Sequence, residues 1–346
     1  MTNFQLLAAM GWRPFFQQQL TLEEWDQIIP ARVTEQHKSQ LTVATDPHTF
    51  TLPITPAMPP LVVGDWILLN ENKQFVRLLE RYSCFKRKSA GTGHEWQLIA
   101  ANVDTAFIVC SMNEDFNPSR IERYLALAQA ADAEPVVVLT KADLTDEPES
   151  WRDHVRRIDK QLQVVTVNAL EDSCMDTLRD WLNPGNTVVM LGSSGVGKST
   201  LTNTLLGESR QSTQGIREDD AKGRHTTTGR SLFPIPQGGL ILDTPGMREL
   251  QLADCHDGIV SAFADIQRLA EACRFADCQH DQEPSCAVQA AVEQGSLDSR
   301  RLSNYQKLLR EDALNSASLA QKRAKEKAFT RFVNFSQKES RKFKGR

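Results

Sequence analysis

Thr187-Val-Val-Met-Leu-Gly-Ser-Ser-Gly-Val-Gly-Lys-Ser199 is the stretch on which the fold of this 346-residue chain turns. Thr187 to Leu191 is a short apolar run of strand type. Gly192 to Ser199 then fits G-x-x-x-x-G-K-[ST] at every fixed position, and a helical pattern follows over Ser199 to Leu206. A glycine-rich turn between strand and helix lets the backbone curl its N–H groups inward around an anion. The helix N-terminus adds its partial positive charge. The predicted cradle comprises Gly192, Ser193, Ser194, Gly195, Val196 and Gly197, with Lys198, Ser199 and Thr200 opening the helix. Lys198 is expected to reach the β- and γ-phosphates of a nucleotide, and the Ser199 hydroxyl to bind Mg²⁺. The plain alternative is a Gly/Ser turn that matches by chance; a strand on one side and a helix on the other argue against it.

Downstream, the strand Leu240-Ile-Leu242 ends at Asp243-Thr-Pro-Gly246. A carboxylate there is where a P-loop NTPase holds its second Mg²⁺ contact, so Asp243 is the predicted ligand and the Gly246 N–H the predicted γ-phosphate contact. Between the two motifs lies Gly223-Arg-His-Thr-Thr-Thr-Gly229. It is a polar segment bracketed by glycines, of the kind that folds over Mg²⁺ and the γ-phosphate and lets go after hydrolysis. Thr227 is the predicted third Mg²⁺ ligand.

Upstream, the strand Val136 to Leu139 ends at Thr140-Lys-Ala-Asp143, which resembles the N-K-x-D element by which Ras-like GTPases read guanine. The two oxygens of Asp143 can accept from N1–H and N2–H₂ of guanine, and the same carboxylate repels the N1 acceptor of adenine. Lys141 can lay its stem along the base. Asn168-Ala169, after strand Val164 to Val167, falls where the second base-contacting loop belongs. Thr140 replaces the usual Asn. A hydroxyl supplies less than a carboxamide, so a weaker grip on nucleotide and P-loop is expected. The base-reading elements precede the phosphate loop, the reverse of the ordinary order, so the domain reads as circularly permuted. That rearrangement costs little where the original termini lie close together.

Around this core the texture differs. Alternating short apolar runs (Ala106–Cys110, Pro135–Leu139, Val164–Val167, Thr187–Leu191) and helical patterns (from Pro118, Trp151–Gln161, Ser173–Leu182) predict a parallel sheet covered on both faces. Residues 1–30 suggest a short helix. From Ala31 to Ile99, β-like runs at Leu41, Thr49, Val62-Val63 and Trp66 are broken by turn residues, which suggests a small barrel. The basic stretch Lys86–Gly93 reads as a linker. After Asp243 the strands stop. Cys273-x4-Cys278-x-His280-x5-Cys286 then places three thiols and an imidazole within fourteen residues, a closed structural set for Zn²⁺ that leaves no open coordination position. Cys84, Cys110, Cys174 and Cys255 lie outside that spacing and read as core residues.

Composition bounds the rest. The chain is 40% hydrophobic and 24% charged, which excludes wholesale disorder, collagen and coiled coil. No run approaches the ~18 apolar residues of a membrane helix, and Met1 to Leu20 lacks the pattern of a secretory signal. An odd seven cysteines with no export signal favours a reducing cytoplasm. The net charge of −4 hides an asymmetry: Leu297 to Arg346 holds fourteen Lys and Arg against five acids, a balance of +9 that leaves −13 for the remainder. Phe329, Phe332, Phe335 and Phe343 are interleaved there. A solvated terminal helix is the bland reading, and an arm attracted to RNA phosphates the functional one.

In combination, the barrel-like N-terminal region, the permuted motif order, Gly-Arg-His-Thr-Thr-Thr and Cys-x4-Cys-x-His-x5-Cys resemble the ribosome small-subunit-dependent, circularly permuted GTPases (the RsgA or YjeQ family), over roughly Ala31 to Cys286. The resemblance implies an OB-fold region over residues 1–100, a permuted GTPase domain over 101–250 and a zinc-binding helical region with a basic tail over 251–346. It further implies a monomer that acts late in small-subunit maturation, touches its rRNA, and hydrolyses GTP to GDP when that subunit stimulates it. Met247 stands where Ras-like enzymes carry the water-orienting glutamine, and the resemblance points to His225 as its substitute, beside Lys198 and Thr227 in the catalytic set. Two other readings stay open from the residues alone: a metabolic P-loop kinase or ATPase with no RNA partner, and a guanine-nucleotide scaffold that hydrolyses little.

Overall fold

A computed structural model of the chain describes residues 4–45, 48–88, 96–207, 230–243 and 250–316. Three short helices, α1 (Phe4–Ala9), α2 (Pro14–Gln17) and α3 (Glu24–Gln27), lead into five strands: β1 (Ile29–Gln36), β2 (Gln40–Ala44), β3 (Thr49–Pro53), β4 (Trp66–Leu69) and β5 (Phe75–Leu78). All pair antiparallel, in the order β3-β2-β1-β4-β5, a partly open barrel of the expected kind. Period-two alternation turns Ala31, Val33, Leu41, Val43, Ile67 and Leu69 to one core. Trp66 and Leu68, on the other face of β4, pack with Leu7 of α1, Phe16 of α2 and Trp12 between them.

Two expectations fail here. Val62-Val63 is not a strand but a buried turn. Gly64 at φ +95° turns the chain so close to Ala101 that a Cβ would lie 2.0 Å from its carbonyl oxygen, and the buried Asp65 carboxylate accepts the Val62 N–H. Lys86–Gly93 is not a linker throughout. Residues 84–88 form β6 (Cys84–Lys88), paired antiparallel with β7 (Trp96–Ala101); the charges mask a strand anchored by buried Phe85, Ile99 and Ala100.

The central sheet follows, strand and helix alternating up to a closing pair of strands: β8 (Thr105–Ser111), α4 (Pro118–Ala130), β9 (Glu134–Thr140), α5 (Pro148–Arg156), β10 (Gln163–Thr166), α6 (Ser173–Leu178), β11 (Thr187–Leu191), α7 (Lys198–Leu206), β12 (Arg230–Pro234) and β13 (Leu240–Asp243). β10-β9-β8-β11-β13 are parallel, with β12 antiparallel outside β13. β12 also pairs with β1, so the ladder runs on into the barrel. β12 was not expected; Leu232 and Phe233 are its only large apolar residues, too few to announce a strand. α5 ends at Arg156, short of the expected Gln161, and α6 gives way after Leu178 to a 3-10 turn. The strands are buried on both faces, which is why they read as unbroken apolar runs. Ile108, Val137, Val189 and Leu242 face α4; Phe107, Val109, Val136, Val138, Val188 and Ile241 face α6 and α7.

Strand order grows one way from β8 (to β9 and β10) and the other way from β11 (to β13). Helix α4 leaves on one face and α7 on the other. In open α/β sheets that reversal opens a crevice at the carboxyl ends of the strands, where ligands bind.

The remaining elements are helical: α8 (His256–Ala262), α9 (Ala264–Ala270), α10 (Ala287–Glu293) and α11 (Ser299–Ser316). α8 lies almost against the α4 backbone, since a Cβ on Gly258 would sit 2.3 Å from the Ala126 carbonyl oxygen. α11 is joined to α4 by charge. The buried Glu122 carboxylate accepts from Arg300, Arg301 and Asn304, Arg301 also chelates Asp265, and Arg123 chelates Glu311. Of the basic C-terminal stretch, Arg301 is therefore a buried tie, and Arg300, about one-third exposed, is held by the same carboxylate. Its remainder from residue 317 lies outside the described residues. Among the described residues no helix is long and apolar enough to cross a membrane.

Candidate nucleotide site and metal centre

The sequence-predicted residues within the described part converge on one edge of the sheet. Gly192 begins at the end of β11, Thr140 ends β9, Asn168 follows β10, and Asp243 ends β13. These are carboxyl ends of parallel strands beside the topological switch.

The phosphate loop has the backbone that its glycines permit. Gly192, Gly195 and Gly197 take φ of +148°, +81° and +93°. At Gly192 a Cβ would meet the Val109 carbonyl oxygen at 2.4 Å, so only glycine lets the loop leave β11 at this angle. Val196 is buried under the loop, while Ser194 and Gly195 are exposed at its crest. Lys198 opens α7 and bends its ammonium back onto the loop, donating to the carbonyl oxygens of Gly192 (2.7 Å) and Ser193. Its charge thus lies over the concavity rather than in solvent. Ser199 and Thr200 occupy the first turn of α7, and Asp243 ends β13, the immediate neighbour of β11. A hydroxyl and a carboxylate are the hard oxygen donors that suit Mg²⁺.

The two loops expected to read the base are tied to the phosphate loop. Lys141 sits in the left-handed region at φ 60°, which turns the chain sharply out of β9 into the 3-10 turn Ala142–Leu144, with Asp143 exposed on it. Thr140 is fully buried, and its hydroxyl donates to the Val196 carbonyl oxygen at 2.6 Å. The weaker tie expected from Thr in place of Asn is thus a short, buried hydrogen bond. Ala142 N–H donates to Val167 across to the second loop. There, Asn168 shapes its own turn by accepting from the Leu170 N–H and donating to Glu171. Ala169 is buried, and its carbonyl accepts from the Thr204 hydroxyl of α7 at 2.7 Å. Sequence reasoning missed Thr204. It also missed Arg120 of α4, whose guanidinium lies 3.4 Å from the Ser193 hydroxyl. Neither lies in a motif, and only the fold brings Thr204 to Ala169 and Arg120 to Ser193.

The four residues of the cysteine–histidine spacing also meet. One ligand atom from each of Cys273, Cys278, His280 and Cys286 lies within 4.8 Å of the others. Cys273 Sγ is 3.7 Å from His280 Nδ1 and 3.8 Å from Cys286 Sγ, and Cys286 Sγ is 3.5 Å from His280 Nδ1. Zn–S of about 2.3 Å and Zn–N of about 2.0 Å in a tetrahedron require S···S of about 3.8 Å and S···N of about 3.5 Å, so the donor set fits zinc. The fold holds the ligands from outside. Cys286 caps α10 by accepting the Gln289 N–H. The His280 carbonyl is bound by Gln289 and by Gln306 of α11. Burial pushes the His280 imidazole below its ordinary value, toward the neutral form a metal needs.

Comparison with known proteins agrees with this geometry. The family profile described as RsgA GTPase matches residues 78–253. A protein of Vibrio parahaemolyticus named small ribosomal subunit biogenesis GTPase RsgA 2 is 57% identical over 93% of this chain and 90% of its own length. The chain belongs to the RsgA GTPase family. It is accordingly a GTP-hydrolysing enzyme. The metabolic kinase and the scaffold that hydrolyses little are set aside. An RsgA of Xanthomonas oryzae is 47% identical over 85% of this chain and 84% of its own. Among solved structures, YjeQ from Thermotoga maritima superposes with a TM-score of 0.61 at 24% identity, covering 82% of this chain and 98% of that one. YloQ, described as a circularly permuted GTPase, gives 0.58 at 22%, covering 84% and 97%. Both have the same fold, and the permuted motif order read from the sequence is that of the family.

The predicted switch residues His225 and Thr227, and Gly246 with Met247 beside it, lie outside the described residues. Of the cysteines set apart from the metal cluster, Cys110, Cys174 and Cys255 are buried and Cys84 is half-buried.

Proposed function

We propose that this chain is an assembly factor that binds the small ribosomal subunit late in its maturation, hydrolyses GTP when the subunit stimulates it, and leaves on hydrolysis. The observation that carries this reading is the convergence of the phosphate loop, the two base-reading loops and Asp243 on one sheet edge, in a chain 57% identical to a protein named for that role.

In this reading Gly192 to Gly197 present N–H groups to the phosphates, and Lys198 pairs with the β- and γ-oxygens. Ser199, Thr227 and Asp243 hold Mg²⁺, which offsets phosphate charge when bound. Gly246 meets the γ-phosphate, Asp143 selects guanine, and Lys141, Asn168 and Ala169 line the base. A methionine at 247 cannot orient water, so His225 takes that role when the subunit is bound. Slow hydrolysis without the subunit follows. Residues 1–100 act as an RNA-facing OB-like barrel, 101–250 as the GTPase and 251–346 as a helical lobe stapled by Zn²⁺ on Cys273, Cys278, His280 and Cys286. The basic residues beyond α11 contact rRNA phosphates. The protein works in the cytoplasm as a monomer.

The test is co-sedimentation with purified small subunits. Retention with a non-hydrolysable GTP analogue and loss with GDP are expected, with no retention on large subunits. Equal retention with both nucleotides contradicts hydrolysis-coupled release.

A further inference from the structure

We infer that Thr140 and Thr204 are a pair of hydroxyl clasps that set the distance between the base-reading loops and the phosphate loop, and that residue 140 does not touch the base. This deepens the proposed guanine site and rests on Asp143 reading the base.

A hydroxyl carries one proton. That of Thr140 has two carbonyl oxygens in reach, Cys110 of β8 at 3.3 Å and Val196 at 2.6 Å, and the much shorter contact to Val196, inside the phosphate loop and 56 positions away in sequence, takes it. The side chain is 0% exposed, so no part of it reaches a ligand at the surface of the crevice. Thr204 does the equivalent for the second loop. From α7, the helix that the phosphate loop opens, its hydroxyl donates to the Ala169 carbonyl oxygen at 2.7 Å, in preference to the Thr200 carbonyl one turn back in its own helix at 3.1 Å. Each clasp therefore runs from an element that holds phosphate to an element that holds the base. A ligand that spans both subsites gains only when their spacing matches it, so the clasps act on affinity by preorganisation. Base choice is left to Asp143 and the main chain of the Asn168-Ala169 loop. The edge of guanine carrying N7 is an acceptor, and residue 140 has no proton left to offer it.

The test measures binding of GDP, IDP, ADP and 7-deaza-GDP, in which N7 is a C–H, to the full-length protein. Wild type is expected to prefer GDP to ADP and to bind 7-deaza-GDP within about twofold of GDP. Thr140→Val and Thr204→Val each remove one buried hydrogen bond and are expected to weaken GDP roughly fivefold to tenfold, with the GDP-to-IDP ratio unchanged. Thr140→Ser restores affinity. Thr140→Asn keeps the clasp and adds a second N–H, so it is expected to bind GDP more tightly and to begin discriminating against 7-deaza-GDP. A wild type that rejects 7-deaza-GDP tenfold or more, or a Thr140→Val protein with a changed GDP-to-IDP ratio, overturns the clasp. A wild type with no preference for GDP over ADP overturns the base-site reading itself. The 7-deaza comparison needs no variant, so it decides even where a valine substitution impairs folding.

Discussion

Glu122→Ala should loosen the helical C-terminal region from the GTPase sheet. Glu122 projects from α4 with 0% of its side chain exposed, and four hydrogen bonds end on its carboxylate: two from Arg300 (3.0 and 2.9 Å), one from Arg301 (3.0 Å) and one from Asn304 (2.6 Å). Breaking a buried ion pair from one side costs about 3–5 kcal/mol. Two features push the figure to the low end. Arg301 keeps its bidentate partner Asp265 (2.8 and 2.6 Å). Arg300 is about one-third exposed and keeps Asp298 (3.3 Å), so water screens the charge it loses. The expected loss is about 3 kcal/mol, read by urea denaturation of the metal-loaded protein and by faster amide exchange in α11 and α8 than in β8 or β9. A double-mutant cycle with Arg301→Ala should return a coupling of about 1–3 kcal/mol. A loss below about 0.5 kcal/mol, with α11 exchange unchanged, refutes the claim that this cluster joins the two regions.

Three further outcomes follow from the geometry. Gly258→Ala forces a methyl to within 2.3 Å of the Ala126 carbonyl oxygen and 2.6 Å of the Ala130 nitrogen; overpacking of about 1–3 kcal/mol should lower the unfolding midpoint, and an unchanged midpoint means that α8 does not lie where described. Chelation, or Cys273→Ser, should release one equivalent of zinc and open residues 273–286 to protease while GDP binding persists, with metal retention weakening as acid protonates the thiolates; a protein that carries no zinc as isolated contradicts the metal site. The Arg77 guanidinium at 2.8 Å holds Glu24 down to about 2 from its ordinary 4.5. A carboxylate depressed in the folded state contributes stability fully above about 4.5, and that stability is lost as pH falls toward 2, so Glu24→Gln should flatten the acid limb of stability between those values while leaving its shape at neutral pH unaltered.

Much of the architecture could be read because the chain states it locally. The parallel strands are unbroken apolar runs, and the phosphate loop, Asp143, Asp243 and the cysteine–histidine spacing each lie within a few consecutive residues. What escaped is carried by long-range contact. Val62-Val63 has strand chemistry, yet the close approach of Gly64 to Ala101 makes it a turn. Lys86 to Lys88 look like a solvated loop but take strand geometry because Phe85 is buried. Thr204 and Arg120 belong to no motif; they reach the Asn168-Ala169 loop and the phosphate loop, respectively, only because α7 and α4 flank the point where the strand order reverses. The substitution of Thr for Asn at 140 reads as a loss in sequence; its hydrogen bond to Val196 shows what is kept.

The central claim is most directly tested by the rate of phosphate release from GTP with and without purified small ribosomal subunits, with ATP as substrate control. Slow turnover of GTP alone, strong stimulation by small subunits and not by large ones, and no turnover of ATP are expected. A rate that small subunits leave unchanged, or one equal for GTP and ATP, contradicts it.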